Sequence, residues 1–342
     1  MPTTIKDVAK MAGVSPSTVS RVIADHPKIS QATKDRVSEA MKTLQYRPNA
    51  IARSLANQST RTLGLLLPNN DEDLLQNPFY VQVMRGISRY AQKAGYYILY
   101  SYTDHEDQEI KMLDELLQSK WVDGVILTTI RENDRCVEFL RANQHHFVVI
   151  GTPEDHVDEI LWVDNNNSNA MYEVVASLVE KGHKQIAFIG GPHEFVVTRY
   201  RLRGYQKALK HYGIPYQPEW VIERAYTEKA GYEATMALFE SVGQAGPDAI
   251  VTTDDLIAFG AQKALVELKK DEVALTGFNN TILAEYKTPA ISSVDIKAEA
   301  LGYEAAKLLI TNLKQKSDVT HCLIDTEFIE RASSCVKEKP IK

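Results

Sequence analysis

Two groups of residues have the types and spacing to do chemistry. The first lies within TIKDVAKMAGVSPSTVSRVIA: Ser15, Pro16, Ser17, Thr18, Ser20 and Arg21. Small hydroxyls and one guanidinium at the start of a helix suit hydrogen bonding to base edges in the DNA major groove. The second group is spread through the body. Trp162, Asp164, Arg199, Arg201, Asp254, Asp255, Asn279 and Asn280 follow short apolar runs, and so does the stretch Gln76-Asn77-Pro78-Phe79-Tyr80. Carboxylates and amides accept from and donate to vicinal hydroxyls, and an aromatic face covers the apolar side of a sugar ring. Catalysis is not signalled. The chain has no H-E-x-x-H, G-x-S-x-G or P-loop, and Gly190-Gly191 is no dinucleotide fingerprint. His105-Glu106 lacks a second histidine at the needed spacing. No catalytic residue, metal site or cofactor is expected.

The elements that must hold the first group are short helices. Ile5, Val8, Ala9 and Ala12 recur at helical spacing after Thr4, an N-cap type. Gly13 breaks that helix. Ser15 then caps a second helix with Pro16 in its first turn, and Val19, Val22 and Ile23 form its apolar face. Ser30 begins a third helix, with Thr33 close behind and Val37, Ala40, Met41 and Leu44 facing inward. It ends near Gln45, because Arg47 precedes Pro48. Tyr46 packs on the three-helix core. Asn49 caps a further two-turn segment through Ala52 and Leu55, too short to stay helical alone in water.

Charge divides the same way. Residues 1–61 carry ten Lys/Arg and four Asp/Glu, net +6, and the remainder 29 and 41, net −12. A basic head on an acidic body fits a nucleic-acid-binding module joined to a body that does not bind nucleic acid. At 342 residues the chain exceeds a usual single domain. It shows no secretory signal and no membrane-length apolar run. Cys136, Cys322 and Cys335 have no metal-ligand spacing, which favours free thiols in a reducing cytoplasm.

From Thr62 short apolar runs alternate with amphipathic helices. Strands are expected at Leu63–Pro68, Tyr97–Tyr102, Gly124–Thr128 and Phe147–Ile150, then at Gln185–Gly190, Glu219–Arg224, Ala249–Thr253 and Val273–Gly277. Such alternation implies α/β lobes on doubly wound parallel sheets, here two facing one cleft. Ligands in such sheets lie at the carboxyl ends of the strands, where the second group falls. Asp255 reads better as a helix N-cap than as a ligand group.

IKDVAKMAGVSPSTVSRVI followed by ISQATKDRVSEAMKTLQYRPNAIARSLA closely resembles the DNA-binding headpiece of the LacI/GalR repressors. The likeness covers Thr3 to Ala56 without a gap and continues in outline to about residue 333. It implies a helix-turn-helix headpiece at 1–48, a hinge helix and linker at 49–61, and a two-lobed periplasmic-binding-protein-like core. The N-terminal lobe would take 62–161 with 292–323, and the C-terminal lobe 162–291 with 324–336, the chain crossing near Leu161, Ser292 and Ile324. The helix from about Ala298 to Leu313 would belong to the N-terminal lobe. The resemblance implies DNA contacts among Thr4, Ser15, Pro16, Ser17, Thr18, Ser20, Arg21, Ser30, Thr33, Tyr46, Asn49, Ala52 and Leu55. Leu55 matches the family's intercalating leucine, whose insertion kinks the duplex from the minor groove.

Effector contacts would fall on Pro78 and Phe79, which match the loop closing over the sugar, on Trp162, which matches an aromatic contact, and on Asp164, Arg201, Asp254 and Asn279. Asp254 stands where many members have Asn, and Asn279 where many have Asp. Ile296 replaces a polar contact of the lactose-responsive branch, which disfavours a galactoside. QNPFYVQVMRGIS, WVDNNN, FIGGP and TRYRLRGYQKALKHY look instead like the maltose-operon repressors of Gram-positive bacteria. The expected partners are a pseudo-palindromic operator, a releasing sugar (maltose or a malto-oligosaccharide) and a second copy of the chain. ERASSCVKEKPIK holds no heptads, which favours a homodimer over a tetramer. The alternative is a catabolite-control type regulator with a phosphocarrier corepressor, whose basic pair is reduced here to Lys307 within Ala305–Thr311. A transport-type solute-binding protein would share the core but would need an export signal and no basic head.

Overall fold

The computed structural model describes residues 3–24, 26–46, 59–67, 77–103, 106–242, 246–315 and 318–335. The expected hinge helix, with Asn49, Ala52 and Leu55, lies outside the described residues, as do Arg47 and Pro48.

Three helices open the chain: α1 (Ile5–Ala12), α2 (Pro16–Ile23) and α3 (Gln31–Thr43). Val8, Ala9, Ala12, Val19, Val37 and Ala40 are buried between them, and Ile5, Val22, Met41, Leu44 and Tyr46 close the edges. Gly13 turns the chain from α1 towards α2 at φ 64, a left-handed conformation that favours glycine. The third helix stops at Thr43, short of the expected Gln45, and Gln45 itself takes φ 49.

Past Arg61 the chain builds two six-stranded sheets. The first holds β1 (Thr62–Leu66), β2 (Tyr97–Ser101), β3 (Gly124–Leu127), β4 (Phe147–Ile150), β5 (Leu161–Asn165) and β11 (His321–Ile324), in the order β11-β5-β4-β3-β1-β2 and all parallel. The second holds β6 (Ile186–Gly190), β7 (Val221–Glu223), β8 (Ala249–Thr252), β9 (Ala274–Phe278), β10 (Ser292–Asp295) and β12 (Glu327–Ile329), with β12 antiparallel to β10. The central strands are buried along their whole length, as continuous runs such as FVVI and IAFIG require of strands covered on both faces.

Helices α4 (Pro78–Ala94), α5 (Glu106–Gln118), α6 (Arg135–Ala142) and α12 (Ala298–Lys314) belong to the first lobe. Helices α7 (Asn167–Glu180), α8 (Val196–His211), α9 (Glu228–Val242), α10 (Asp255–Glu267) and α11 (Ile282–Tyr286) belong to the second. Gly86 of α4 and Gly302 of α12 face each other's helices so closely that a Cβ at either would overlap main chain. That contact fixes the two helices as one unit.

The lobe boundaries differ from those expected. The chain leaves the first sheet after Asn165, not at Leu161, because Leu161–Asn165 pairs with β4 and β11. It returns after Asp295 rather than at Ser292, because Ser292 to Val294 pair with β9. The last crossing lies between Ile324 and Glu327, which leaves Ile324 in the first sheet. A parallel strand reads alike in either sheet, so periodicity carries no trace of a crossing. The strand expected at Glu219–Arg224 is shorter, since a 3-10 turn occupies Pro218–Trp220. No helix among the described residues is long and apolar enough to cross a membrane.

Candidate functional site

In the headpiece Ser15 Oγ accepts from Thr18 N at 3.1 Å and lies 2.8 and 2.9 Å from the hydroxyls of Ser17 and Thr18. This fixes the start of α2 with Pro16 in its first turn. Pro16, Ser17 and Arg21 are exposed, Thr18 and Ser20 half-buried, and Val19 is buried on the opposite side. Ser17 and Arg21, four apart, share one face of the helix. Thr4 donates from its N–H and its hydroxyl to the Asp7 carboxylate at 2.9 and 2.7 Å, which fixes the start of α1. Ser30 and Thr33 are linked through their hydroxyls at 2.9 Å. Tyr46 is half-buried against the three-helix core.

In the core, one cavity lies between the lobes at the carboxyl ends of the strands. Asn77, Phe79, Thr128, Ile130 and Asp164 line it from the first lobe, and Asn167, Phe195, Arg201, Tyr226, Asp254 and Asn279 from the second. Asn77 caps α4, accepting from Phe79 N at 3.0 Å. Its amide donates to Asp254 Oδ2 at 3.2 Å across the cleft. The same oxygen accepts from Asn279 Nδ2 at 2.7 Å, while Asp254 Oδ1 caps α10 through Leu256 N at 2.7 Å. Asn279 takes φ 98, a left-handed conformation that turns the chain into the cavity.

Asp164 and Arg201 are joined through one amide. Asp164 Oδ1 accepts from Asn167 Nδ2 at 2.9 Å, and Asn167 Oδ1 accepts from Arg201 Nε at 2.9 Å. The guanidinium carbon lies 3.7 Å from the centroid of the Phe278 ring. Thr152 donates from its N–H and its hydroxyl to Asp164 Oδ2, both at 2.8 Å. Two sides of the cavity are therefore pre-ordered, with polar atoms facing a space also walled by Phe79, Phe195 and Ile296.

Burial governs the acids. It raises Asp254 to about 7, with the neighbouring Asp255 charge adding to the effect and the hydrogen bonds from Leu256 N and Asn77, together with the Arg201 charge, opposing it. It raises Asp255 to about 6 against hydrogen bonds from Ser293 and Thr281. Asp164 is likewise raised by burial, despite its donors from Thr152 and Asn165.

Three expectations need correction. Trp162 does not line the cavity. It is the second residue of β5, stacked at 4.6 Å on His321, and its Nε1 donates to Val157 O at 3.0 Å. The carboxyl end of β5 is three residues further on, about 10 Å away. Pro78 occupies the first turn of α4, and its neighbours Asn77 and Phe79 face the cavity in its place. Asp255 is not the cap of α10: Asp254 is, and Asp255 binds Ser293 Oγ and Thr281 N beneath it.

Asn167, Phe195 and Tyr226 line the cavity without having been named as site residues, and Asn77 lines it from within the expected stretch Gln76–Tyr80. Asn before Pro at a helix start is a cap signal that points to Asn77. No comparable signal marks Tyr226. Asn165 sits where the first crossing begins, and its Nδ2 donates to Ile296 O at 3.1 Å and Ile324 O at 2.8 Å. Among the described residues no group of three His, Cys, Asp or Glu could hold a metal ion.

Known proteins share this architecture. Residues 4–49 match the model of the bacterial regulatory proteins of the lacI family, and residues 175–334 match the periplasmic binding protein-like domain. The HTH-type transcriptional regulator MalR of Streptococcus pneumoniae is 38% identical over 88% of this chain and 90% of its own length. Catabolite control protein A of Priestia megaterium is 33% identical over 93% and 94%. The solved complex of the transcriptional regulator CelR with cellobiose superposes with a TM-score of 0.76 at 28% identity, over 97% of this chain and 99% of that one. On headpiece, core and overall likeness alike, the chain is no enzyme and belongs to the lacI family of bacterial transcriptional regulators.

Proposed function

We propose that this regulator is a cytoplasmic repressor of sugar-utilisation genes, bound as a homodimer to a pseudo-palindromic operator and released by maltose or a malto-oligosaccharide. The observation that carries the sugar reading is the inter-lobe cavity. Asp164, Arg201, Asp254 and Asn279 present acceptors and donors there beside Phe79 and Phe195. Vicinal hydroxyls match that mixture, and the aromatic rings match the apolar face of a pyranose. MalR relatives in Streptococcus pneumoniae and Staphylococcus xylosus support maltose among the sugars. Phe79 comes from one lobe and Arg201 from the other, so a ligand touching both favours one closure of the cleft. A coupling of about 1–3 kcal/mol to operator affinity is the usual range.

Pro16, Ser17 and Arg21 form the exposed edge proposed to enter the major groove, with Arg21 on a guanine, a contact worth about 1–3 kcal/mol. Titration of operator binding against glucose, maltose, maltotriose, cellobiose and lactose tests the reading. Release by maltose or maltotriose supports it, and release by lactose alone overturns it. Footprinting is expected to show two half-sites about one turn apart.

A catabolite-control role has one observation in its favour, the likeness to catabolite control protein A. Against it, Lys307 is the lone basic residue of Ala305–Thr311 and is paired with Glu304 at 2.8 Å. Capture of the phosphorylated phosphocarrier by the pure protein would favour that role.

A further inference from the structure

Asp123 is the residue immediately before β3, at the end of the strand away from the cavity. Its carboxylate accepts four hydrogen bonds, all from the chain that leads out of the headpiece. Ser59 Oγ donates at 2.5 Å, Thr60 N at 2.6 Å, Thr60 Oγ1 at 2.8 Å and Arg61 N at 2.9 Å. The Asp123 N–H in turn donates to Thr62 O at 2.8 Å. Arg61 is held at φ 50, a conformation that L side chains rarely adopt. Its carbonyl accepts from Tyr97 N at 2.8 Å, so the linker is tied to both strands that flank β1.

The other end of β3 is the cavity. Thr128 and Ile130, just past Leu127, line it. The same segment meets the second lobe: Val196 N donates to Ile130 O at 3.1 Å, and Glu132 N to Glu194 O at 2.7 Å. Between the two ends lie four fully buried residues, Gly124 to Leu127, hydrogen-bonded to β1 on one side and β4 on the other. A central strand so held moves as a rod about 13 Å long. A tilt of the first-lobe sheet as the cleft closes would then be shared by the cavity end and by the carboxylate.

We propose that Asp123 is the positioning residue that fixes the direction in which the DNA-binding segment leaves the core and carries lobe closure to it. The signalling half of this inference rests on the sugar reading above. The exit-fixing half does not. The second lobe has a similar clamp, Asp248 before β8 accepting from Lys184 N at 3.1 Å and Gln185 N at 3.2 Å, but there the held chain leads from α7 and not from the headpiece, and only Asp123 adds two hydroxyl donors, Ser59 and Thr60, of the DNA-binding segment's own exit.

The test uses the full chain. Asp123→Asn keeps one acceptor oxygen and places an N–H₂ against the donors of the linker. The double variant Ser59→Ala, Thr60→Val keeps the carboxylate and removes only the two hydroxyl donors. For each, maltose affinity is measured by calorimetry, and operator affinity by fluorescence anisotropy with and without maltose. Expected are unchanged maltose affinity, operator affinity lowered at least tenfold for Asp123→Asn, and a maltose effect on operator binding reduced towards none. The double variant is expected to follow in the same direction with a smaller change, and it decides the matter if Asp123→Asn does not fold. Operator affinity and maltose effect both within twofold of wild type would overturn the proposal. So would a fall in maltose affinity that accounts for the lost release. Should wild type respond to no sugar, the sugar reading fails, and the operator affinities alone still decide whether Asp123 fixes the exit.

Discussion

Asn77 and Asp254 lie 177 positions apart and in different lobes, yet the amide of one donates to the carboxylate of the other at 3.2 Å. The cleft is bridged a second time along α8, where Arg199 pairs with Glu132 at 2.5 Å and with Glu154, both of the first lobe. The first bridge ends on a proposed sugar ligand and the second does not. A ligand that takes over Asp254 competes with one of the contacts between the lobes, while the Arg199 pairs remain.

Arg201 is the sharpest point at which to test the cavity. Arg201→Ala removes a buried guanidinium bonded to Asn167 and Thr253, and is expected to cost about 2–5 kcal/mol of sugar binding. Operator affinity without sugar should match wild type, because the headpiece is untouched. A gel shift should then show no release at sugar concentrations that free the wild-type protein. Unchanged affinity by calorimetry, with normal release, would remove Arg201 from the site.

Trp162→Ala separates packing from recognition. The indole is stacked on His321 and buried away from the cavity, so its loss is expected to lower stability by about 3–5 kcal/mol. Sugar affinity of the folded variant should stay within a fewfold of wild type. Thermal unfolding and calorimetry on one preparation report both. A large affinity loss without destabilisation would return Trp162 to the site.

The buried acids give a pH dependence of definite sign. Asp254 and Asp255 are raised from 3.8 to about 7 and about 6. As pH rises from 3.8, the unfolded chain releases protons that the folded chain retains. Their contribution to stability is thus greatest below 3.8, declines as pH rises, and levels off above about 7. Asp254→Asn should flatten that decline and raise the melting temperature at about pH 8 more than at about pH 5. Scanning calorimetry of both proteins at the two pH values decides it. An equal pH slope in the variant would show that Asp254 does not titrate in this window.

The hinge residues can be tested independently of the core. Leu55→Ala should weaken operator binding and leave sugar affinity unchanged, since it removes the proposed minor-groove wedge and nothing from the cavity. Ala52→Gly should act in the same direction by about 1 kcal/mol per chain through the cost of ordering the helix. Operator affinity equal to wild type for Leu55→Ala would exclude an intercalating role.

Much of this molecule is legible without coordinates, for identifiable reasons. Thr4, Gly13, Ser15 and Pro16 mark the ends of α1 and α2 because capping and turn chemistry are local. Runs such as Phe147–Ile150 read as strands because both faces are covered. The lobe crossings are not local: Leu161 and Ser292 are apolar-run neighbours that could join either sheet. Depth is hidden for the same reason. Trp162 and Asp164 sit two apart on one face of β5, and only the position of the strand's end makes one a cavity residue and the other core. Asp254 and Asp255 show the limit at its narrowest. Adjacent carboxylates at a helix start differ in role by one step of the backbone, and sequence gives no means of choosing.

Asn165 has two amide hydrogens, and the carbonyls of Ile296 and Ile324 take both. Three connections far apart along the chain are thereby bolted to one atom, like leaves of a gate hung on a single pin. Independent play among them would let the lobes twist, slide or splay, and a ligand would have to select among many arrangements. A shared pivot opposes sliding and splaying and leaves rotation about that point. The free energy of a single small molecule then acts on rotation of the lobes, which suits the proposed release of DNA on sugar binding.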